Sequence, residues 1–186
     1  FAPKSIAVVG VSRDKKKIGS IILQNLLEGG FRGKIYPINP KYAKKKVMGK
    51  TCYSSINAIS ESIDLVVIVV PGELVESVIE DCIYKRTKGV VIISSGFSEI
   101  GNTELEGRIQ KKCKQHKINL LGPNCLGLII PSIKLNASFS DGMPEKGGVA
   151  FVSQSGAFCT AILDWALEKR IGFSHFVSLG NKAGIS

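Results

Sequence analysis

The chain has 186 residues, 44% of them hydrophobic and 22% charged. A chain of this length can bury a substantial core without disulfide bonds or structural metal ions. It contains no apolar run near 20 residues and no signal-peptide pattern over residues 1–9, so a cytoplasmic protein without a membrane partner is expected. The five cysteines are odd in number and widely spaced, without a C-x-x-C pair. They are interpreted as reduced, mostly buried thiols rather than metal ligands: Cys52, Cys82, Cys113, Cys125 and Cys159.

The formal net charge of +10 is unevenly distributed. Residues 1–50 hold twelve basic side chains and only Asp14 and Glu28 as acidic ones, and the remaining 136 residues sum to zero. Charge confined to a segment of βαβ size, with few aromatic side chains among it, favours a compact polyphosphate over a nucleic-acid strand. The alternative is a lysine-rich, solvated surface without a ligand.

Short, nearly continuous apolar runs alternate with helical segments along the chain. This pattern is typical of strands buried on both faces of a parallel sheet. The predicted strands are residues 5–9, 34–38, 64–70, 89–93, 117–121, 149–152 and 173–177. An α/β fold with a Rossmann-like parallel sheet follows.

Two helices carry their own boundary signals. One is predicted over residues 73–86, with acidic residues in its first turn and basic residues in its last, as the helix dipole prefers. Another is predicted to begin at Thr103, with Glu106 completing a capping box. The buried stripe of the first helix is expected to comprise Leu74, Val75, Val78, Ile79, Cys82 and Ile83.

A stretch punctuated by Gly and Pro interrupts the pattern after Gly127, and the sequence of strand, glycine turn and helix then begins again. We therefore expect one domain over residues 1–130, a linker over 131–144, and the start of a second α/β domain over 145–186. The second unit has too few elements to be complete, so the chain is expected to be a fragment.

A glycine-containing turn follows the first predicted strand and leads directly into a helix. It runs from Gly10 to Gly19. A helix amino terminus at such a turn offers backbone N–H groups and a positive dipole end to an anion. Ser12, Arg13 and Lys17 can add further donors. The turn departs from G-x-G-x-x-G, so its resemblance to a dinucleotide fingerprint is weak.

The residues after the second predicted strand narrow the choice of nucleotide. An NAD-binding domain normally places Asp or Glu there for the ribose 2′-hydroxyl. Here Ile38 is followed by Asn39, Pro40 and Lys41, without a carboxylate. A lysine suits a phosphorylated ribose, so NADP and coenzyme A both remain open at this point. A solvated run formed by Lys41 with Lys44–Lys46 is the alternative.

A second glycine turn follows the strand predicted at residues 149–152. It reads Ser153, Gln154, Ser155, Gly156 and Ala157, and a helix comes next. The same exposed N–H groups predict a second anion site. Because Gly156 directly follows Ser155, the pattern is not the G-x-S-x-G elbow of a hydrolase.

Several ordered motifs resemble the coenzyme A-binding domain of NDP-forming acyl-CoA synthetases, relatives of the succinyl-CoA synthetase α subunit. The resemblance covers essentially the whole chain and implies that the second unit is flavodoxin-like. The motifs are the turn ending at Gly19, IYPINPK (35–41), VVP (69–71), ISSGFSE (93–99), GPNCLG (122–127), GGVAFVSQSGA (147–157) and SLGN (178–181).

The resemblance implies a set of coenzyme A contacts. These are Gly10, Ser12, Arg13, Lys17 and Gly19 around the diphosphate, Lys41 at the 3′-phosphate, Val70 and Pro71 near the adenine, and Ser94, Ser95 and Gly96 along the pantetheine arm, with Asn124 and Cys125 close by. It also implies that Ser153, Ser155, Gly156 and Ala157 receive the phosphate of a phosphohistidine. Cys125 is expected to be a packed thiol rather than a nucleophile.

The implied reaction converts an acyl-CoA, ADP and phosphate to the free acid, coenzyme A and ATP through acyl-phosphate and phosphohistidine intermediates. Neither His116 nor His175 lies in the phosphohistidine motif, so both are interpreted as structural and no catalytic residue is assigned. The resemblance implies that the phosphohistidine lies beyond Ser186. Mg-ADP or ATP would bind only to an ATP-grasp domain or subunit. The fragment alone is expected to bind coenzyme A without full turnover.

The partners expected are coenzyme A and a small acyl substrate, with an oligomer formed by the full-length enzyme. Two other functions remain open. One is a coenzyme A-binding regulatory or protein-acyltransferase scaffold, and the other is an NADP-dependent oxidoreductase.

Overall fold

The computed structural model describes residues 2–184, which form two main sheets, a small hairpin and four α-helices. The strands are β1 (Ser5–Val9), β2 (Lys34–Ile38), β3 (Lys46–Val47), β4 (Lys50–Thr51), β5 (Leu65–Ile68), β6 (Gly89–Ile92), β7 (Asn119–Leu121), β8 (Gly127–Ile130), β9 (Leu135–Ser138), β10 (Lys146–Ser153) and β11 (Phe173–Ser178). The helices are α1 (Ile18–Glu28), α2 (Gly72–Tyr84), α3 (Thr103–Gln115) and α4 (Gly156–Lys169). Ser186, the last residue of the predicted second unit, lies outside the described residues.

The first sheet is parallel and five-stranded, in the order β2-β1-β5-β6-β7. This is a doubly wound arrangement, in which the chain crosses to opposite sides of the first strand. The parallel sheet predicted from the apolar runs is confirmed. The topological switch point lies between β1 and β5, where Val9 is paired with Ile68 at the carboxyl ends of the strands.

The second sheet has the order β10-β11-β8-β9, with β10 and β11 parallel and the other pairs antiparallel. Strands β8 and β9 are not among the predicted ones, and β9 lies within the predicted linker. Both strands are four residues long and buried throughout, which is too short for a clear strand pattern in the sequence. Pro131 begins a short 3-10 turn between them, which explains why the sequence of residues 131–144 resembles an irregular linker.

Helix α1 packs between the two sheets. Its residues Ile22 and Leu26 are fully buried in a cluster that also contains Ile6 of β1 and Leu135 of β9. The side-chain amide of Asn25 donates to the carbonyl oxygens of Ser138 and Ser140, at 2.9 and 2.8 Å. One continuous core therefore joins the two sheets around α1.

The structure corrects two details of the predicted helices. Leu74 of α2 is 50% exposed, so the fully buried stripe is narrower than predicted. Helix α3 begins at Thr103, but no side chain caps it. The predicted capping box is wrong because the Glu106 carboxylate instead accepts a hydrogen bond from the backbone N–H of Ser98 at 3.1 Å.

The five cysteines are buried free thiols, as predicted. Burial raises the pKa of Cys113 to about 11 and that of Cys125 to about 12. Within residues 2–184, no helix is both long and apolar enough to cross a bilayer.

Candidate functional site

The carboxyl ends of the five parallel strands bring the sequence-predicted residues of the first domain to one edge of the sheet. Ligands of open α/β sheets bind at such an edge, near the switch point. In spatial order, the connections there are residues 39–42 after β2, 10–17 after β1, 69–71 after β5, 93–99 after β6 and 122–125 after β7.

Two glycines shape the turn after β1. Gly10 has φ +101°, and a Cβ there would lie 2.7 Å from the carbonyl oxygen of Val69. A Cβ at Gly19 would overlap the carbonyl oxygen of Gly10. The start of α1 therefore packs directly on the turn. No side chain caps the helix at Lys17, which leaves its amino terminus suited to an anion.

Ser20, which the sequence reasoning did not select, holds the position of Ser12. Its fully buried hydroxyl donates to the carbonyl oxygen of Ser12 at 2.8 Å and accepts from the Ser12 N–H at 3.2 Å. The signal available was a serine directly after Gly19 in the first turn of the helix. The Ser12 hydroxyl accepts from the N–H of Asp14 at 3.1 Å and retains its own proton for donation.

Arg13 and Lys41 both lie against the aromatic ring of Tyr42. The guanidinium carbon of Arg13 lies 5.5 Å, and Nζ of Lys41 lies 5.8 Å, from the centroid of Tyr42. Both distances fall within cation–π range. Lys17 is exposed beside the same turn. Tyr42 was not selected from the sequence, because a lone tyrosine in a lysine-rich stretch carries no spacing signal.

The connections after β5 and β6 are packed against each other. The Ser94 hydroxyl donates to the carbonyl oxygen of Val70 at 2.5 Å, so it supports the backbone instead of facing the open edge. Ser95 and Pro71 are exposed, and Gly96 has φ +106°. The exposed polar side chain here is thus the hydroxyl of Ser95, while the backbone N–H and carbonyl of Gly96 are bound by Glu99 and Asn102.

Asn181 of the SLGN motif joins the two sheets at this edge. Its side-chain amide donates to Glu99 at 2.7 Å and to Glu106 at 2.9 Å, while its Oδ1 accepts from Asn124 at 3.3 Å. Its backbone N–H donates to the carbonyl oxygen of Pro123 at 2.9 Å. In the sequence Asn181 stands out only as part of the SLGN motif, and the structure gives it a connecting position.

The carboxylate of Glu99 occupies two backbone donors of the loop after β6. It accepts from Gly96 at 2.5 Å and from Phe97 at 3.2 Å. Burial acts to raise the pKa of Glu99, but the hydrogen bonds from Asn181, Gly96 and Phe97 outweigh it and hold the pKa below its usual value. Glu99 is therefore a fixed negative charge beside Asn124. In the sequence Glu99 stands out only as the last residue of the ISSGFSE motif, because its contact with Asn181 forms only in the fold.

Cys125 lies beneath this loop and is only 4% exposed. Its Sγ donates to the carbonyl oxygen of Ile92 at 3.3 Å. Its raised pKa and its burial agree with the prediction of a packed thiol.

The second predicted anion site is the amino terminus of α4. The Ser155 hydroxyl accepts from the N–H of Phe158 at 3.2 Å, and Ser153 Oγ accepts from the N–H of Ser155 at 3.1 Å. Gly156 and Ala157 are exposed. The N–H of Leu179 donates to the carbonyl oxygen of Ser153 at 2.7 Å, so this helix start lies beside the segment that carries Asn181.

The two histidines lie outside these sites. His116 is the exposed C-cap of α3, and His175 is exposed on β11. The phosphohistidine expected beyond Ser186 lies outside the described residues, as does Ser186 itself. Within residues 2–184, no group of three His, Cys, Asp or Glu side chains is arranged to hold a metal ion.

Comparison with protein families assigns both parts of the chain. Residues 4–131 match the family model of the CoA binding domain, and residues 146–186 match that of the succinyl-CoA ligase like flavodoxin domain. The first model covers more than half of the chain, so it shows the family.

Curated relatives are ADP-forming ligases. An acetate–CoA ligase (ADP-forming) of Methanocaldococcus jannaschii is 51% identical over 98% of this chain and 25% of that protein. The α subunit of acetate–CoA ligase (ADP-forming) I of Pyrococcus furiosus is 41% identical over 100% of this chain and 41% of the subunit. The chain thus spans about a quarter to two fifths of the length of these relatives.

A solved structure agrees with these relatives. The dinucleotide-forming acetyl-coenzyme A synthetase 1 of Ca. Korarchaeum cryptofilum, in complex with phosphate and ADP, superposes with a TM-score of 0.95 at 44% identity, over 100% of this chain and 40% of that one. The chain therefore belongs to the CoA-binding domain family, in the form found in ADP-forming acyl-CoA synthetases.

Proposed function

We propose that this chain binds coenzyme A along the carboxyl edge of the first sheet. The observation that carries the proposal is the pairing of a glycine-shaped helix start with Arg13 and Lys41 over Tyr42. Asn39 occupies the place where an NAD-binding domain carries an acid, and its amide is bound to the backbone. The edge therefore presents positive charge to a phosphorylated ribose and offers no carboxylate partner for a free 2′-hydroxyl.

The diphosphate would lie at Gly10 and the start of α1. A Cβ on Gly10 or on Gly19 would fill the space of this turn. Ser12, Arg13 and Lys17 would donate to its oxygens, and Lys41 would contact the 3′-phosphate. The adenine would pack near Val70 and Pro71. Backbone N–H groups and fixed cations at a helix start suit this polyanion without further rearrangement.

The pantetheine arm would extend along the edge from the switch point toward β7. Four interstrand spacings of about 4.8 Å separate β2 from β7, or about 19 Å in all, which suits an elongated ligand. Ser95 and Gly96 would line the arm, with Asn124 near its end. Ser94 would support this wall from behind, because its hydroxyl is bound to Val70.

Calorimetric titration of the chain with coenzyme A, 3′-dephospho-coenzyme A and NADPH tests the binding proposal. We expect saturable binding of coenzyme A, weaker binding of the dephospho form and little binding of NADPH. Binding of NADPH with no binding of coenzyme A would overturn the proposal and favour an NADP-dependent oxidoreductase.

We further propose that the full-length protein is an acid–CoA ligase of the ADP-forming type. The start of α4, with Ser153, Ser155, Gly156 and Ala157, would receive the phosphate carried by a histidine outside this chain. Fixed N–H donors there would stabilise charge on the transferring phosphoryl group. ADP or ATP, with magnesium, would bind to an ATP-grasp part, and the enzyme would be an oligomer.

The surface of the second unit supports the proposal that residues 145–186 are part of a larger flavodoxin-like domain. Strand β10 lies at a sheet edge, and apolar side chains are exposed on it and on α4. They are Val149, Val152, Phe158 and Trp165, each 51–56% exposed. A further strand and helix over this face would bury them.

An activity assay tests the ligase proposal. The full-length protein should release coenzyme A from a short acyl-CoA only when ADP and phosphate are present, and the 186-residue chain should bind coenzyme A without turnover. Binding of coenzyme A by the full-length protein without ADP-dependent turnover of any short acyl-CoA would contradict it and favour a regulatory or acyltransferase scaffold.

A further inference from the structure

A second cationic region lies at the opposite edge of the first sheet. Lys4 and Lys34 flank the amino-terminal ends of β1 and β2, and Arg32 lies between α1 and β2. Strands of five residues place this edge about 13 Å from the carboxyl edge. These three cations therefore cannot serve the candidate site described above. The excess charge of residues 1–50 is divided between two ends of the sheet, and a single phosphate ligand does not account for it.

These cations line a cleft of about 640 Å³, here called the amino-edge cleft. Lys134, from the turn before β9, completes its charged lining, and Phe31 and Ile133 supply apolar walls. In the part of the chain that the structure describes, Lys34 pairs with Glu61 at 3.3 Å, while no carboxylate lies within 4.0 Å of the side-chain nitrogens of the other three cations. The Asp64 carboxylate accepts from the backbone N–H of Lys4 at 2.8 Å, so two carboxylates lie near the four cations and the cleft keeps a net positive charge.

Two glycines give the cleft its shape. A Cβ at Gly33 would overlap the ring of Phe31, and a Cβ at Gly30 would lie 3.3 Å from Cδ of Lys134. The absence of side chains at these positions lets the ring and the lysine stem lie against the backbone. Lys134 has φ +55°, a conformation uncommon for a side-chain-bearing residue. Its ammonium also lies near the carboxyl end of α1, whose last turn has no basic residue, so the helix dipole accounts for part of its placement.

We propose that the amino-edge cleft binds a small organic phosphate. Its volume lies within the range of about 300–1,000 Å³ typical of ligand sites. Arg32, Lys4 and Lys134 would contact the phosphate oxygens, while Phe31 and Ile133 would cover the apolar part of the ligand. The inference goes beyond the proposed function and does not depend on it, because no residue of the carboxyl edge takes part.

The test uses the ¹⁵N-labelled 186-residue chain titrated with ADP, with amide chemical shifts as the readout. The amides of Gly30 and Gly33 report on the cleft, and those of Gly10 and Gly19 report on the carboxyl edge. We expect saturable shifts at Gly30 and Gly33 with ADP, weaker ones with pyrophosphate and none with adenosine. Arg32→Gln and Lys134→Gln should each weaken ADP binding by about fivefold.

Lys111→Gln is the matched control, because Lys111 is an exposed lysine of α3 outside the cleft. It should leave the affinity for ADP unchanged within about twofold, because salt screens the charge of a lysine this far from the cleft. Shifts confined to Gly10 and Gly19 would overturn the proposal, and so would equal binding of adenosine and ADP. Shifts at Gly30 and Gly33 with a polyglutamate peptide but not with ADP would also overturn it, in favour of an acidic protein segment. Failure of coenzyme A to bind at Gly10 leaves these readouts unaffected.

Discussion

The side-chain amide of Asn39 donates a hydrogen bond to the carbonyl oxygen of Val11 across 2.7 Å. Its Oδ1 accepts from the backbone N–H of Lys41 at 2.9 Å. One side chain therefore ties the glycine turn after β1 to the turn that carries Lys41. The separation of the two cationic turns is set by the protein before any ligand arrives.

Asn39→Ala should lower both stability and affinity for coenzyme A. Loss of two hydrogen bonds should reduce the free energy of unfolding by about 1–2 kcal/mol, measured by urea denaturation. Affinity should fall as well, because Lys41 is no longer held. The control is Asn57→Ala, which removes a hydrogen bond to Asp81 on the exposed surface and should leave affinity unchanged. Equal affinity losses in both variants would show that Asn39 acts only through stability.

Lys41→Ala should weaken the binding of coenzyme A more than the binding of its 3′-dephospho form. Loss of a charge-assisted contact should weaken coenzyme A binding by about tenfold and the dephospho form much less. Titration of both ligands measures the difference, with Lys111→Ala as the charge control. Equal losses of affinity for both ligands would show that Lys41 does not contact the 3′-phosphate.

Tyr42 should act through its ring rather than its hydroxyl. Tyr42→Phe retains the surface that Arg13 and Lys41 face, so affinity for coenzyme A should stay within about twofold of wild type. Tyr42→Leu should reduce it by about three- to tenfold, because each cation loses the aromatic ring that positions it. A Leu variant that binds as tightly as the Phe variant would contradict this role.

Glu99 should stabilise the fold in a pH-dependent way. Its pKa is depressed below 4.5 in the folded chain, so its contribution is present above the unfolded value and is lost as pH falls through the folded value. Wild type should therefore be more stable than Glu99→Gln near pH 7, with the difference shrinking below about pH 4.5. Urea denaturation at several pH values measures this. Glu104→Gln, at a side chain 87% exposed, is the matched control for the loss of one carboxylate.

The five thiols should be unreactive in the folded chain. At a pKa of about 12, only about one Cys125 thiol in ten thousand is ionised at pH 8, and its burial excludes reagents as well. Labelling with iodoacetamide followed by peptide mapping should show slow modification of the native chain and rapid modification of all five cysteines in urea. Fast native labelling of Cys125 would instead identify a reactive thiol.

The parallel sheet and the glycine turn after its first strand were accessible from sequence because buried strands and glycine turns are local signals. Strands β1 and β2 have the predicted bounds, and Gly10 and Gly19 lie against backbone oxygen atoms that leave no room for a side chain. Strands β8 and β9 escaped prediction because four residues are too few to show a clear period. They pair with each other, but the elements that bury them, β11 and α1, lie far away in sequence.

The supporting residues of the site were harder to predict. Asn39, Tyr42 and Glu99 act through contacts between loops that become neighbours only when the sheet forms. Glu106 gave a misleading local signal. Its spacing from Thr103 matches a capping box, but its carboxylate accepts hydrogen bonds from Ser98 and Asn181 instead. Local spacing predicts what a residue can do nearby, and the fold decides which contact it makes.

The placement of α1 between the two sheets has a consequence for how the chain unfolds. Ile22 and Leu26 belong to the same buried cluster as Leu135, so separating the sheets would expose the helix that follows the glycine turn. Denaturation should then be a single cooperative transition, with equal calorimetric and van't Hoff enthalpies. A truncation after residue 130 would leave this helix uncovered, and a ligand bound at the glycine turn would stabilise both sheets together.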